Sequence, residues 1–209
     1  MKGGRLPSLM RPILNRTGLF FVILLSPVIA AGCSSDPRLE ADQAIEQANE
    51  EISAHDELFD EARGIYSESQ EAVRASGESP ETTAVEPTGE GTEISEAREA
   101  MEEARERLQT ARGEISGIRD LDVSQELLRY SRTLEEALAA QIRAEEREIA
   151  FYEILAEDPA LEEDRDRAIG ILAEAEDAYA EAESGYREAR EIADSNPDLI
   201  VPAGGSGAG

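Results

Sequence analysis

Hydrophobic residues recur at steps of three and four along most of the chain after residue 36, with charged residues between them. This spacing is typical of amphipathic α-helices that pack through one face. Its clearest run fills eight consecutive heptad positions without a polar residue: Ile94, Ala97, Met101, Ala104, Leu108, Ala111, Ile115 and Ile118. A seven-residue repeat makes a seam only one helix wide, which favours a coiled-coil partner over a broad globular core.

A first helix is predicted over residues 37–76. Asp36 can cap its free amides, and Pro37 suits the first helical position. His55 and Ser69 interrupt its seam, which otherwise consists of Ala41, Ile45, Ala48, Ile52, Phe59, Ala62, Tyr66 and Val73.

The break at residues 120–124 separates the second helix from a third, predicted from about Val123 to Glu157. Its hydrophobic residues form two adjacent stripes: Leu127, Tyr130, Leu134, Ala137, Ala144, Phe151, Leu155 and Leu128, Leu138, Ile142, Ile149, Tyr152. A helix that is apolar over so wide an arc must contact more than one neighbour. We therefore expect the third helix in the middle of a bundle.

A fourth helix is predicted from Asp158-Pro159, which repeats the pair at Asp36-Pro37, to about Ser195. Its seam holds Ala168, Leu172, Ala175, Tyr179, Ala182, Tyr186 and Ala189. Every second seam position in the second and fourth helices is Ala, which lets two helix backbones approach closely. This pattern favours close antiparallel pairing within one chain, although Ala is also simply the best helix former.

These segments predict an all-α fold, in which long amphipathic helices form an antiparallel coiled coil or a three- to four-helix bundle. Residues 93–195 supply a bundle of three helices, because short connections usually join antiparallel neighbours; a kinked continuous rod is the alternative. Residues 77–92, rich in Gly, Pro, Thr and Glu, are predicted to be a flexible linker, and residues 196–209 a disordered tail. A sixteen-residue linker leaves open whether helix 37–76 docks on the bundle.

The amino terminus predicts export. Residues 1–17 are basic, and residues 18–31 form an uncharged apolar run of 14 residues. That run is too short for a bilayer core of about 30 Å, and the basic-then-apolar order is that of a secretory signal segment. Its end, Ile29-Ala30-Ala31-Gly32-Cys33, resembles the lipobox of bacterial lipoproteins, with Ala30 where Leu is commonest.

The resemblance covers only about the first 35 residues. It implies that residues 1–32 are a lipoprotein signal peptide, that Cys33 carries fatty acyl chains such as palmitate, and that residues 33–36 are a lipidated tether. Two or more acyl chains hold a protein firmly on a membrane. The protein would then lie on the extracytoplasmic side of the cell membrane, with the membrane as its partner through Cys33. The alternatives are a buried thiol or an uncleaved signal anchor.

The charge distribution restricts the partners. The chain has 20 Lys and Arg against 47 Asp and Glu, a net charge of −27, and all the acidic residues follow Cys33. Such a surface repels phosphates, so nucleic acid is not expected as a partner. With a single cysteine, neither a disulfide framework nor a multi-Cys zinc site can form.

No active site can be assembled from the sequence, so no enzyme, metal or cofactor is predicted. His55 is the only histidine. It occupies a seam position, where a partly buried imidazole with one hydrogen bond is expected, and no Glu-x-x-His pair accompanies it. Spaced acids on the second helix could hold divalent cations loosely, but they suit a solvated face better: Glu99, Glu102, Glu103 and Glu106.

Two functions remain. The first is a lipid-anchored, acidic helical protein of the cell envelope, a spacer, scaffold or adaptor. Its seams or acidic faces would contact another envelope protein, a second copy of the chain or the cell wall. In architecture alone it resembles the helical, Glu-rich lipoproteins described as cell-wall-binding. The alternative is a binding protein for divalent cations or a cationic solute through carboxylate clusters.

Overall fold

Four long helices make up the structure. The computed structural model describes residues 36–77, 90–159, 161 and 163–199, with side chains from 36–67, 93–159, 161 and 163–199. The elements are α1 (Pro37–Gly77), α2 (Glu90–Gly117), a short 3₁₀ turn (Ile118–Asp120), α3 (Gln125–Glu157) and α4 (Arg165–Ser195). The described part of the chain contains no strand, so the predicted all-α class is confirmed.

The helices pack closely only on their neighbours in sequence. Cα atoms approach within 8 Å between α1 and α2, between α2 and α3, and between α3 and α4. Among the described residues, no Cα atom of α1 comes that near to α3 or α4. The bundle therefore has three tight sides and one wide side, which lies between α1 and α4.

Helix α1 docks on the other three helices, which answers the question that the sequence left open. Its first half shares a hydrophobic cluster with the ends of α2 and α4 and the beginning of α3, so successive helices run antiparallel: Ala41, Ile45, Ala48, Leu108, Ala111, Ile115, Ile118, Leu127, Tyr130, Leu134, Leu138, Ile142, Ala189, Ile192 and Leu199. A second cluster fills the other end of the bundle: Phe59, Ala62, Ile94, Met101, Ala104, Ile149, Phe151, Tyr152, Ile154, Leu155 and Ala168.

The predicted seams are the buried faces. All eight heptad residues, seven on α2 and Ile118 in the 3₁₀ turn that follows it, are at most 7 % exposed. Both stripes of α3 are buried except Leu128, which is half-buried, and α3 packs on α2 and α4 as a middle helix should. On α4 the four seam alanines are buried, while Leu172, Tyr179 and Tyr186 are half-buried. Close approach is tightest at Gly185, where a Cβ would lie 2.8 Å from the Cβ of Ala137.

The predicted start of the first helix at Pro37 is correct, and α3 begins at Gln125, two residues after the predicted Val123. The Asp36 carboxylate accepts a hydrogen bond from the Arg38 amide at 3.0 Å, as an N-cap does. Ser124 caps α3 by accepting from the Leu127 amide at 3.2 Å.

The predicted start of the fourth helix at Asp158-Pro159 is wrong, since α4 begins at Arg165. The Asp158 carboxylate accepts from the amides of Glu163 and Asp164, at 2.9 and 3.3 Å, and so holds a loop rather than a first helical turn. Leu161 in this loop has a φ of 50°, a left-handed conformation that no helix continues.

The boundaries of the linker and the tail also change. Gly77 and residues 90–92 of the predicted linker 77–92 belong to α1 and α2, and residues 78–89 lie outside the described residues. The tail does not begin at Asn196, because Leu199 is only 3 % exposed and belongs to the first hydrophobic cluster. The Arg38 guanidinium donates to the carbonyl oxygens of Asp198 and Leu199 and ties this segment to α1.

Candidate functional site

A layer of polar side chains crosses the middle of the bundle, between the two hydrophobic clusters. We call it the polar layer. It combines two residues of α1, three of α3 and two of α4: His55, Arg63, Gln141, Glu145, Glu148, Tyr179 and Tyr186.

His55 is the centre of the polar layer and is 1 % exposed. Its Nδ1 lies 2.9 Å from Asp56 Oδ1, and its Nε2 lies 2.8 Å from Glu145 Oε1. A carboxylate only accepts hydrogen bonds, so both ring nitrogens donate at once when the imidazole is protonated. Burial lowers the pKa of His55, but hydrogen bonds and charge from Asp56 and Glu145 outweigh it and raise that pKa from 6.5 to about 9. His55 is therefore a buried cation at neutral pH.

Glu145 is the buried counter-charge, with 0 % exposure. Besides the bond from His55, its Oε1 accepts from Gln141 Nε2 at 3.1 Å. The two donor nitrogens, 3.3 Å apart, share this one acceptor. Gln141 is fixed in turn by Tyr186, whose hydroxyl donates to Gln141 Oε1 at 2.6 Å. Glu145 Oε2 is buried with no hydrogen-bond partner. Of the two side chains that donate to Oε1, only His55 can carry a positive charge, so the negative charge of the buried carboxylate is balanced by His55.

Glu148 forms the second half of the polar layer, one turn further along α3. It accepts from Arg63 at 3.2 Å, from the Tyr179 hydroxyl at 2.6 Å and from the Tyr152 hydroxyl at 3.3 Å. The Arg63 guanidinium carbon also lies 4.3 Å from the Phe59 ring centroid, within the range of a cation–π contact. Burial, followed by the charge of Glu148, raises the pKa of Tyr179 well above its usual value. The hydroxyl groups of Tyr179 and Tyr152 therefore stay protonated and act as hydrogen-bond donors to Glu148.

Among the described hydrogen bonds and ring contacts, those that join α1 to α3 or α4 in this part of the bundle come from His55 and Arg63 of the polar layer and from the aromatic residues Phe59 and Tyr66. Phe59 of α1 meets Tyr179 of α4 edge to face, with ring centroids 6.2 Å apart. Large aromatic and charged side chains thus span a gap that backbone packing does not close. This arrangement binds one proton tightly and aligns α1 against α3 and α4.

The sequence correctly placed His55 in the seam between Ile52 and Phe59. It underestimated how deeply the ring is buried and how many partners it has. The ring is fully buried and contacts two carboxylates rather than making one hydrogen bond. The partners on α3 were missed, although the sequence carried a signal. Gln141 and Glu148 fill the two gaps in the first hydrophobic stripe of α3, and Glu145 fills a gap in the second.

The described residues offer no metal centre: no group of three His, Cys, Asp or Glu side chains among them could hold an ion. Two of the α2 acids singled out from the sequence form ion pairs on their own helix. Arg98 lies 3.5 Å from Glu102, and Arg107 lies 3.7 Å from Glu103.

A surface groove of about 320 Å³ runs between α2 and α3, lined by Arg112, Arg119 and Arg132 around the apolar Ile115. Glu135 lies 3.5 Å from Arg112 and 3.4 Å from Arg119. Two of the three arginines are therefore engaged by the protein's own carboxylate.

Cys33, the predicted lipidation site, lies outside the described residues. Within the part of the chain that the structure describes, no helix has the length and hydrophobicity needed to cross a membrane. Comparison with protein-family models, curated proteins and solved structures gave no match for this chain.

Proposed function

We propose that this chain is a lipid-anchored, acidic helical protein of the cell envelope that acts as a spacer, scaffold or adaptor for another envelope component. The observation that carries the proposal is the placement of Cys33. It follows small residues at the end of an apolar run, and α1 begins at Pro37, only four residues later. An acyl chain on Cys33 would thus hold a helical bundle next to the lipid surface.

The architecture of the bundle supports a mechanical or adaptor role. Its polar layer is turned inward, and His55, Tyr179 and Tyr186 bond to other side chains of the bundle. Helix α3 alone, with 33 residues, spans about 50 Å at 1.5 Å per residue. A bundle of that length suits a protein that holds a contact away from the membrane.

The lipid anchor is tested by growing the producing bacterium with a labelled fatty acid. We expect label on the native chain, none on Cys33→Ser, and unchanged labelling of the matched neighbour Ser34→Ala. Cys33→Ser should also leave the membrane fraction. An unlabelled native chain, or a Cys33→Ser chain that stays equally membrane-bound, would refute the anchor.

The adaptor role needs a separate test, because a correct anchor does not establish a contact. A photo-crosslinking residue is placed at exposed positions on each helix, for example at Glu176 on α4 and Glu99 on α2, and is activated in intact cells. We expect a discrete adduct from one face of the bundle, lost in the Cys33→Ser background. Its mass separates a second copy of the chain from a different protein. Uniform absence of adducts from all four helices would contradict the adaptor role.

A further inference from the structure

The wide side of the bundle differs from the other three in how it is held. Closely packed backbones join α1 to α2, α2 to α3, and α3 to α4. Helix α1 reaches α4 across the wide side, and α3 across the interior of the bundle, through side chains alone. The central links are the bonds from His55 to Glu145 and from Arg63 to Glu148, together with the contact of Phe59 with Tyr179.

The link from His55 to Glu145 changes when His55 loses its proton. The neutral ring keeps a single N–H and can no longer donate to Asp56 and Glu145 together; donation from Nε2 keeps the bond to Glu145 but without the positive charge of the imidazolium. Asp56 is exposed and can turn to water, whereas Glu145 is fully buried and one of its oxygens already lacks a partner. The neutral layer would leave the carboxylate of Glu145 as an uncompensated buried charge, which is strongly destabilising as long as the carboxylate stays out of contact with water.

We propose that the bundle opens along its wide side when His55 releases its proton, so that α1 and α4 move apart while the three tight helix pairs persist. The opening lets water reach Glu145. It also uncovers the half-buried Tyr179 and Tyr186, which the closed bundle holds against the polar layer. The proposal does not depend on lipidation of Cys33.

Among the groups packed around His55, the imidazole itself is the one that we expect to lose a proton between neutral and moderately alkaline pH. On α1 and α3 the facing charges are Asp56 and Glu145. The Arg63–Glu148 pair lies further along the bundle, about two turns from His55 on α1 and one turn from Glu145 on α3. On α4 they are phenols, and burial raises the pKa of Tyr186 far above neutrality. From α2 the buried residues Met101, Ala104 and Leu108 are uncharged. The charged group that α2 contributes near His55 is Arg107, which pairs with Glu51, one turn before His55 on α1, at 3.3 Å.

The test measures distances between spin labels in the full chain, in a Cys33→Ser background. Exposed positions supply a pair across the wide side, Asp60→Cys with Glu176→Cys, and a control pair across a tight side, Asp60→Cys with Glu99→Cys. As the pH rises from neutral through about 9, the wide-side distance should lengthen and the control distance should stay constant.

Two variants assign the response to the polar layer. Glu145→Gln removes the buried counter-charge, so its wide-side distance should stay short throughout the titration. His55→Gln, which never carries the proton, should show the long distance already at neutral pH. If His55→Gln fails to fold, Glu145→Gln still decides. The proposal is overturned if the native wide-side distance does not change, if both label pairs lengthen together, or if Glu145→Gln lengthens as the native chain does.

Discussion

Gly185→Ala offers the sharpest check on how α4 packs against α3. An exposed helical Gly replaced by Ala normally gains up to about 1 kcal/mol from helix propensity. At Gly185 the new Cβ would stand 2.8 Å from the Cβ of Ala137 and 3.2 Å from its Cα. Ordinary contact begins near 3.4 Å, and Ala137 has no torsion that could move its Cβ aside. The two helices must therefore separate.

The expected change in the free energy of unfolding for Gly185→Ala combines a cost of overpacking with a gain in helix propensity. Overpacking a tight contact costs about 1–3 kcal/mol, so after the propensity gain the net change should be a loss of about 0–2 kcal/mol. Gly170, on the same helix, is the matched control, because nothing lies within 4 Å of its added Cβ. Gly170→Ala should stabilise the protein by about 0.5–1 kcal/mol.

Urea denaturation followed by the helical circular-dichroism signal measures all of these variants. Adding Ala137→Gly to Gly185→Ala removes the clashing methyl group, and we expect a favourable coupling of about 1 kcal/mol or more between the two changes. Equal stabilisation by Gly185→Ala and Gly170→Ala would show that α3 and α4 do not approach closely here.

Three further predictions concern the polar layer and the capping residues. The single histidine should titrate near pH 9 in nuclear magnetic resonance spectra. Because folding raises the pKa of His55, the stability that its proton adds is complete below pH 6.5 and is lost as the pH rises through about 9. The free energy of unfolding should fall by about 3 kcal/mol over this range, at 1.36 kcal/mol per pH unit. A midpoint near 6.5 would disprove the buried ion pair. Tyr179→Phe should cost about 1–3 kcal/mol in urea denaturation, since Glu148 loses its shortest hydrogen bond; no loss would mean that water replaces the hydroxyl. Ser124→Ala should cost about 1 kcal/mol through the lost N-cap, whereas Ser116→Ala, which removes only an exposed bond to a helix carbonyl, should change stability little; equal effects would argue against the cap.

The hydrophobic spacing was enough to predict the helices and the faces that they bury. It succeeded because each helix buries one hydrophobic stripe, or two adjacent stripes in α3, and such stripes are directly visible as steps of three and four. The start of α4 could not be found in this way. Asp158-Pro159 has the composition of a cap, but its carboxylate bonds to amides five and six residues ahead, which depends on the path of the loop.

The polar layer was harder to predict from the sequence, because a polar residue within a hydrophobic stripe counts only as a gap in the stripe. Glu145 and Glu148 look like ordinary members of an acidic chain until the fold places them opposite His55 and Arg63. The pairing joins residues 85 and 90 positions apart. Only the alignment of α1 against α3 reveals it.

The neighbour-to-neighbour order of the helices has a consequence for how the chain acquires its fold. Each tight interface joins segments that are consecutive along the polypeptide, so it closes only short stretches of chain and costs little loop entropy. Proteins dominated by such local contacts fold within microseconds to milliseconds. The hairpins can therefore assemble one after another as the chain emerges, and the wide side is completed last, when α4 arrives.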